Sequence, residues 1–134
     1  MSAHVKPANP QPSQDAYTKE HTQFVALELD RVIGWFDVLP KGPPVHAHCG
    51  TLGMGLLPEF RGKGIGKELL LSALRHAFEK FTRIELTVHA DNALAIALYR
   101  SAGFKQEGEM QDAVLIDGQY KNALLMAIVR RSDR

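Results

Sequence analysis

The sequence has little cysteine, no long apolar run and almost no net charge, and each shortage excludes a class of protein. Cys49 is the only cysteine, so it cannot form a disulfide bond within the chain. The apolar run at 123–129 is far shorter than the ~20 residues that span a bilayer. The formal net charge of +1 at pH 7 provides no field of one sign to attract nucleic acid or an anionic membrane. We therefore expect neither partner.

What the sequence does contain is an ordinary globular composition. Its 134 residues, 45% hydrophobic and 23% charged, are enough for one domain with a real core. Residues 1–22 carry three prolines and few apolar residues, so we expect a mobile tail there. We expect a single domain over 23–130 and a short tail over 131–134. The amino terminus lacks the residue order of a signal peptide, which favours a cytoplasmic location.

Alternating apolar residues predict several strands. Residues 23–40 are typical of a hairpin, and 48–57 of a glycine-rich strand. Within that strand, Gly53 and Gly55 indicate a bulge or the close approach of another group. Near the carboxyl end, Asp-Gly at 117–118 is the turn expected of a closing hairpin.

Helical patterns separate these strands. Apolar residues recur at spacings of three and four between Gly66 and Phe81, which predicts one buried helical face. A strand at 83–90 follows, and then a short helix over 93–103. Strands that alternate with helices and end in a hairpin predict an α/β fold, with a mixed, partly parallel sheet and helices on both faces.

The segment RGKGIG at 61–66 stands between the glycine-rich strand and the first helix. Unpaired amides and the positive end of a helix dipole suit an anion such as a phosphate. Arg61, Lys63 and Lys67 add positive charge. The loop matches neither the P-loop nor the dinucleotide loop, because no Gly-Lys pair precedes Ser or Thr and Lys67 stands where a third glycine would. Taken alone, a flexible turn with solvated cations explains it equally well.

Two segments together resemble the GNAT family of N-acetyltransferases. The pattern Arg61-x-x-Gly64-x-Gly66 before an amphipathic helix is similar to the acyl-CoA loop of that family. Residues 92–104 match its N-x-x-A-x-x-L-Y-x-x-x-G-F segment. The interval between them fits one helix and one strand, and the resemblance extends from about residue 23 to 129. It is greatest to small bacterial members that acetylate an amine on a metabolite, a peptide or a protein amino terminus.

The resemblance implies a reaction and its residues. A primary amine would attack the thioester of the co-substrate acetyl-CoA directly, in a ternary complex. Asn92 matches a residue that hydrogen-bonds the cofactor, and Tyr99 matches the tyrosine that protonates the departing thiolate. The other implied cofactor-binding residues lie on the strand for the pantetheine arm and on the loop for the diphosphate: Met54, Gly55, Leu56, Arg61, Gly62, Lys63, Gly64, Ile65, Gly66 and Lys67. The ordinary alternatives are a helix cap for Asn92 and amphipathic packing for Tyr99.

The general base is less well marked. Related acetyltransferases often carry a glutamate five residues before the asparagine, and this chain has Thr87 there. Glu85, two residues earlier on the same strand face, is our preferred base, with His48 and His89 as other groups that could act through water. An ion-paired strand carboxylate is an equally good interpretation of Glu85.

A metal site is not expected. His46, His48 and Cys49 lie close together in the sequence. A tetrahedral site would need further ligands at a useful spacing, and the chain offers none.

One departure from the family concerns the amino terminus. The family begins with a strand and two helices, and the residues before the first hairpin are too few and too rich in proline to supply them. We therefore expect these elements to be missing and a homodimer to cover the exposed sheet edge. In the family these elements form one wall of the acceptor pocket. Without them, two other functions remain open: a non-catalytic acyl-CoA-binding module and a purely structural interaction domain.

Overall fold

Among the residues that the structure describes, seven strands form one sheet, and two α-helices follow its central strands. The computed structural model describes residues 4–7 and 22–131. The strands are β1 His4–Pro7, β2 Thr22–Glu28, β3 Arg31–Pro40, β4 Cys49–Leu56, β5 Arg83–His89, β6 Lys105–Ile116 and β7 Gln119–Val129. The helices are α1 Ile65–Ala77 and α2 Ala93–Ser101. Single turns of 3-10 helix lie at Pro44–His46 and Pro58–Phe60.

The sheet is mixed, as the sequence predicted. Its strand order is β1-β2-β3-β4-β5-β7-β6. Only β4 and β5 run parallel, and every other neighbouring pair is antiparallel. The crossover from β4 to β5 passes through α1, as a parallel pair requires. The predicted partly parallel α/β fold is confirmed.

The amino-terminal strand differs from our expectation. His4–Pro7 pairs antiparallel with β2, from His4 opposite Leu27 to Pro7 opposite Phe24, so these residues do not belong to a mobile tail and a first strand is present. A proline is tolerated there because β1 is at the edge of the sheet. The expected loss of two helices falls on residues 8–21, which lie outside the described residues.

One face of the sheet carries the core. Helix α1 packs on it through Ile65, Leu69, Leu70 and Leu74, each at most 2% exposed. Burying such a side chain contributes about 1.5–3 kcal/mol, so this helix is a large part of the stability. Helix α2 contacts α1 and lies on the same face. No helix in the described part of the chain covers the opposite face, so the described residues do not show the helices that we predicted on both faces.

The two hairpins turn tightly. Leu29 and Asp30 between β2 and β3, and Asp117 and Gly118 between β6 and β7, all have positive φ. Two successive positive φ values are what a two-residue turn needs to match the twist of its strands. The turn predicted at Asp-Gly is therefore confirmed.

Candidate active site

The central strands separate and open a gap in the sheet. Strand β4 pairs with β5 only from Cys49 opposite Arg83 to Thr51 opposite Glu85. On its other side, β4 stays paired with β3 as far as Leu56. Beyond Thr51, therefore, one edge of β4 has no partner strand among the described residues. Its backbone amides and carbonyls are available to an extended ligand.

A cleft of about 400 Å³ lies at this opening. It brings together ten of the residues that the sequence analysis named: Met54, Gly55, Leu56, Arg61, Gly62, Gly64, Gly66, Lys67, Asn92 and Tyr99. The strand end, the loop and the two helices, although distant in sequence, therefore form one site.

The loop before α1 is shaped for an anion. Gly62 and Gly64 have φ values of 76° and 83°, a conformation that residues with a Cβ rarely adopt. Gly64 is the N-cap of α1 and makes no side-chain cap. The first helical bond joins the Glu68 N–H to the Gly64 carbonyl at 3.2 Å. The N–H groups of residues 65–67 precede that bond and are free for a ligand, at the positive end of the helix dipole.

Arg61 has a positioning contact as well as a place in the cleft. Its Nε donates a hydrogen bond of 3.1 Å to the carbonyl oxygen of Leu56. This bond ties the loop to the end of β4, so the two surfaces that would hold the arm and the diphosphate of a cofactor are held together. Lys67, in the first turn of α1, lines the cleft with its cationic side chain.

Two predicted cofactor residues lie elsewhere. Lys63 Nζ stands 5.8 Å from the centroid of the Phe60 ring, and Lys63 is not among the residues that line the cleft. Ile65 is fully buried in the core. Neither residue lines the cleft, so the cofactor role expected of them, which is mainly a role of the loop backbone, stays a prediction. Their backbone amides remain part of the loop.

Asn92 has both of the roles that the sequence left open. Its Oδ1 accepts a hydrogen bond of 3.2 Å from the Ala95 N–H, which caps α2. Asn92 also lines the cleft. Because the cap uses only the carbonyl oxygen, the amide group of the side chain can still donate.

Tyr99 faces the cleft from α2. Its ring packs edge-on against Phe104, with 5.8 Å between the ring centroids. Burial raises the pKa of Tyr99 above its ordinary value. The phenol is therefore protonated at neutral pH, which a general acid requires.

Glu85 lies outside the cleft. It is opposite Thr51, three residues before Met54 on β4, or about 10 Å along the strand. Its Oε2 accepts hydrogen bonds from Arg83 Nε at 2.8 Å and Lys41 Nζ at 3.1 Å. Burial by itself raises the pKa of Glu85, but these two cations outweigh it and the net pKa is lowered. Our preference for Glu85 as the base was wrong, because this carboxylate is held ionised and paired at the closed end of the strand pair.

Glu85 belongs to a larger charge network. Arg83 also donates to both carboxylate oxygens of Glu107, at 2.6 and 3.1 Å. The hydrogen bond to Glu107, together with the one to Glu85, raises the pKa of Arg83 above its ordinary value. Beside the network, burial raises the pKa of the Cys49 thiol, and the charge of Glu85 adds to that effect. The network therefore has a structural role in joining β3, β5 and β6.

The two histidines lie at opposite ends of the strand pair. The carbonyl of His48 accepts from the N–H groups of Thr82 and Arg83, where β4 and β5 begin. His89 is the last residue of β5, and its carbonyl accepts from the Asn92 N–H. Only His89 is therefore near the cleft. In the part of the chain that the structure describes, no group of three or more His, Cys, Asp or Glu could hold a metal ion.

Sequence reasoning missed part of the cleft. Leu94, Ala95 and Leu98 of α2 line it, and Leu94 is 84% exposed. A Cβ added at Gly66 would lie 3.5 Å from Leu98 Cδ2, so this leucine is where the two helices meet. Helical spacing could have identified Ala95 from the sequence, because it lies one turn before Tyr99 and shares its face of α2.

The chain matches known acetyltransferases. A model of the acetyltransferase (GNAT) family covers residues 3–104. The chain is 30% identical over 110 residues to an L-amino acid N-acetyltransferase, AaaT, of Escherichia coli, covering 81% of this chain and 68% of that one. It is 37% identical over 73 residues to spermidine N(1)-acetyltransferase of the same organism, covering 53% of this chain and 39% of that one.

A solved structure agrees in fold. The phosphinothricin acetyltransferase of Sinorhizobium meliloti, in complex with acetyl-CoA, superposes with a TM-score of 0.84 at 21% identity, covering 97% of this chain and 89% of that one. Because the family model matches residues 3–104, this chain belongs to the GNAT family of acetyltransferases. None of the described helices is long and apolar enough to cross a membrane.

Proposed function

We propose that this protein transfers an acetyl group from acetyl-CoA to a primary amine of a small metabolite, a peptide or a protein amino terminus. The observation that carries the proposal is the joining, in one cleft, of an unpaired strand edge, an uncapped helix start and Tyr99. These are the parts needed to hold an acyl-CoA and to protonate its thiolate.

Each part has a distinct task in this proposal. The amides of residues 65–67 and the cations Arg61 and Lys67 bind the diphosphate. The free edge at Met54–Leu56 pairs with the pantetheine arm as an added strand would. The amine nitrogen attacks the thioester carbonyl, so that a C–N bond forms and the C–S bond breaks. Tyr99 gives its proton to the sulfur, a contribution of about 10²- to 10⁴-fold.

The attacking amine must also lose a proton. We propose that His89 accepts it through water, because His89 ends β5 beside Asn92, which lines the cleft. A histidine is suited to this task because a neutral imidazole nitrogen can accept a proton. His89→Gln should therefore lower kcat without weakening acetyl-CoA binding.

The relatives support an amine acceptor without naming it. The two Escherichia coli enzymes are named for an amino acid and for spermidine, both of which carry an amine. The match to the spermidine enzyme covers 39% of its length, so its acceptor is not transferred to this chain.

The test is release of thiol from acetyl-CoA by the purified chain, with a panel of amines and mass spectrometry of the products. We expect acetylated amine and free CoA in equal amounts, and Tyr99→Phe should lower kcat far more than it weakens acetyl-CoA binding. Failure to acetylate any amine, although acetyl-CoA raises the melting temperature, would instead identify a non-catalytic acyl-CoA-binding module. No thermal shift at all would favour an interaction domain.

We also propose a homodimer, now on different grounds, because β1 occupies the sheet edge that we expected to be bare. The β6–β7 hairpin exposes Leu115, Tyr120 and Met110 by 59%, 65% and 39%. Among the described strands, β6 has no partner on its outer edge, and exposed apolar residues beside such an edge favour association. Light scattering at micromolar concentration should give the mass of two chains, and a monodisperse monomer would overturn the proposal.

A further inference from the structure

The face of the sheet opposite α1 carries an aromatic ring on the end of β4 that has no partner on its β5 side. Trp35 is opposite Gly55 in the β3–β4 pair. Its neighbour Phe36 is buried in the core with α1. Because side chains alternate along a strand, Trp35 points to the other face of the sheet.

The indole of Trp35 lies along β4 and covers two of its glycines. The three atoms nearest to a Cβ added at Gly55 all belong to the indole, with Nε1 at 2.5 Å. A Cβ added at Gly53 would be 3.5 Å from Cη2 and Cζ3 of the same ring. The close approach that we predicted at these glycines is therefore made by Trp35. Trp35 is still 46% exposed, so the ring lies at the surface of the sheet rather than in the core.

The covered part of β4 has little support of its own. From Leu52 to Leu56 it is paired with β3 on one edge, and no described strand pairs with it on the other. Glycine has more conformational freedom to lose than any other residue, and inside a strand it has no side chain to pack. An aromatic side chain on the neighbouring strand can replace that missing packing. Trp35 therefore restrains the half of β4 that strand pairing restrains least.

The restrained segment is also the part of β4 that lines the cleft. Met54, Gly55 and Leu56 line it, and Trp35 does not. The backbone groups of these three residues are those that would pair with the pantetheine arm. An edge that is already extended binds such a ligand more tightly, because less freedom is lost on binding. The ring can therefore affect the ligand through Gly55 without touching it.

We propose that Trp35 is a positioning residue for the cofactor arm: it holds Gly53 and Gly55 extended, so that the free edge of β4 is preformed for pantetheine. This inference rests on the proposed function, in which that edge binds the arm of acetyl-CoA. The competing explanation is that the ring only stabilises the sheet. Its loss would then lower the free energy of unfolding without a selective effect on the arm.

Two ligands separate these explanations in calorimetric titrations. Acetyl-CoA carries the arm, whereas adenosine 3′-phosphate 5′-diphosphate keeps the nucleotide and the diphosphate but lacks the arm. We expect Trp35→Ala to raise the Kd for acetyl-CoA about 3- to 10-fold, the loss of one neutral hydrogen bond, and to leave the Kd for the armless nucleotide unchanged. Trp35→Phe, which keeps a ring over Gly55, should restore most of the affinity for acetyl-CoA. Equal increases for both ligands in Trp35→Ala, or no increase for either, would overturn the proposal.

Leu39→Ala supplies the matched control. Leu39 lies on the same strand and face as Trp35 and is 41% exposed. It is opposite Thr51, however, where β4 is also paired with β5. Urea unfolding should show a loss of stability in both alanine variants, whereas Leu39→Ala should bind acetyl-CoA as tightly as the wild type does. An equal loss of acetyl-CoA affinity in Leu39→Ala would mean that the ring acts only through the stability of the sheet.

A substitution at Gly55 tests the contact itself. Because a Cβ there would lie 2.5 Å from Trp35 Nε1, Gly55→Ala must displace either the ring or the strand. We expect it to weaken acetyl-CoA binding when Trp35 is present and to have a smaller effect in the Trp35→Ala background, where the ring is absent. Additive effects in the double variant would mean that the ring and the glycine act independently, and the proposal would be wrong.

The same titrations distinguish failure of this inference from failure of the proposed function. If the wild type binds acetyl-CoA no more tightly than the armless nucleotide, the edge of β4 does not hold the arm and the proposed binding mode fails. If the wild type prefers acetyl-CoA and Trp35→Ala keeps the whole preference, only the positioning role of Trp35 fails. Because no amine is present, a selective loss in Trp35→Ala supports the positioning role even if no amine is acetylated.

Discussion

Replacing Gly64 by alanine tests whether the shape of the loop before α1 holds the diphosphate of acetyl-CoA. Gly64 has φ of 83°, and an added Cβ would meet nothing within 4 Å. The substitution therefore adds backbone strain without a clash. An L-residue in this conformation costs roughly 1–2 kcal/mol, and the loop can relieve that cost by moving its amides.

The expected magnitude follows from what the loop would lose. Each charged hydrogen bond between an amide and a phosphate contributes about 1.5–3 kcal/mol. Loss of one such bond weakens affinity about 10- to 100-fold, since 1.4 kcal/mol is a factor of ten. We expect Gly64→Ala to raise the Kd for acetyl-CoA by this factor, while lowering the stability of the free protein by about 1 kcal/mol.

Gly118 supplies the matched control. Its φ is 77°, an added Cβ there would also meet nothing within 4 Å, and it lies in the β6–β7 turn away from the cleft. Urea unfolding should show a similar loss of stability in Gly64→Ala and Gly118→Ala, while calorimetric titration should show weaker acetyl-CoA binding only in Gly64→Ala. Equal Kd values for both variants and the wild type would refute the assignment of the diphosphate to this loop.

Three further variants or measurements address single residues. Asn92→Ala removes the α2 cap and should cost about 1 kcal/mol, whereas Asn92→Ser keeps a cap. If Asn92 also donates to the cofactor, both variants bind acetyl-CoA less tightly. If only the alanine variant loses affinity for acetyl-CoA, Asn92 acts through the helix cap alone. Because Arg83 and Lys41 lower the pKa of Glu85, its contribution to stability is present above the unfolded pKa of about 4.3 and is lost as the pH falls through the folded value. Glu85→Gln should therefore be less stable than the wild type at pH 7, with a smaller gap at pH 3.5, and a gap independent of pH would contradict this. Burial raises the pKa of Cys49, so a disulfide reagent should react with it slowly in the native protein and fast in urea; rapid native reaction would contradict its burial.

Local patterns predicted the parts of the site that depend on neighbouring residues in the chain. The glycine loop and the cap at Asn92 follow from local residue patterns, whereas the place of Tyr99 was implied by the resemblance to the GNAT family; all three lie in the cleft. The strand-helix order likewise predicted the mixed sheet, because a parallel pair needs a crossover.

The sequence could not predict contacts that depend on strand register. Glu85 is distant from the cleft because β4 and β5 pair only at their first residues, and no local pattern reports where a pair of strands separates. The ring of Trp35 covers Gly53 and Gly55 across a strand boundary, a contact between residues about 20 positions apart. The four residues of β1 are too few for their periodicity to be distinguished from that of a tail.

The most direct test of the central claim is a calorimetric comparison of acetyl-CoA with S-acetylpantetheine, which keeps the thioester arm but lacks the diphosphate and nucleotide. We expect acetyl-CoA to bind one molecule per chain, at least tenfold more tightly than S-acetylpantetheine. No heat with millimolar acetyl-CoA, or equal affinity for the two compounds, would contradict a cleft in which the amides before α1 hold the diphosphate.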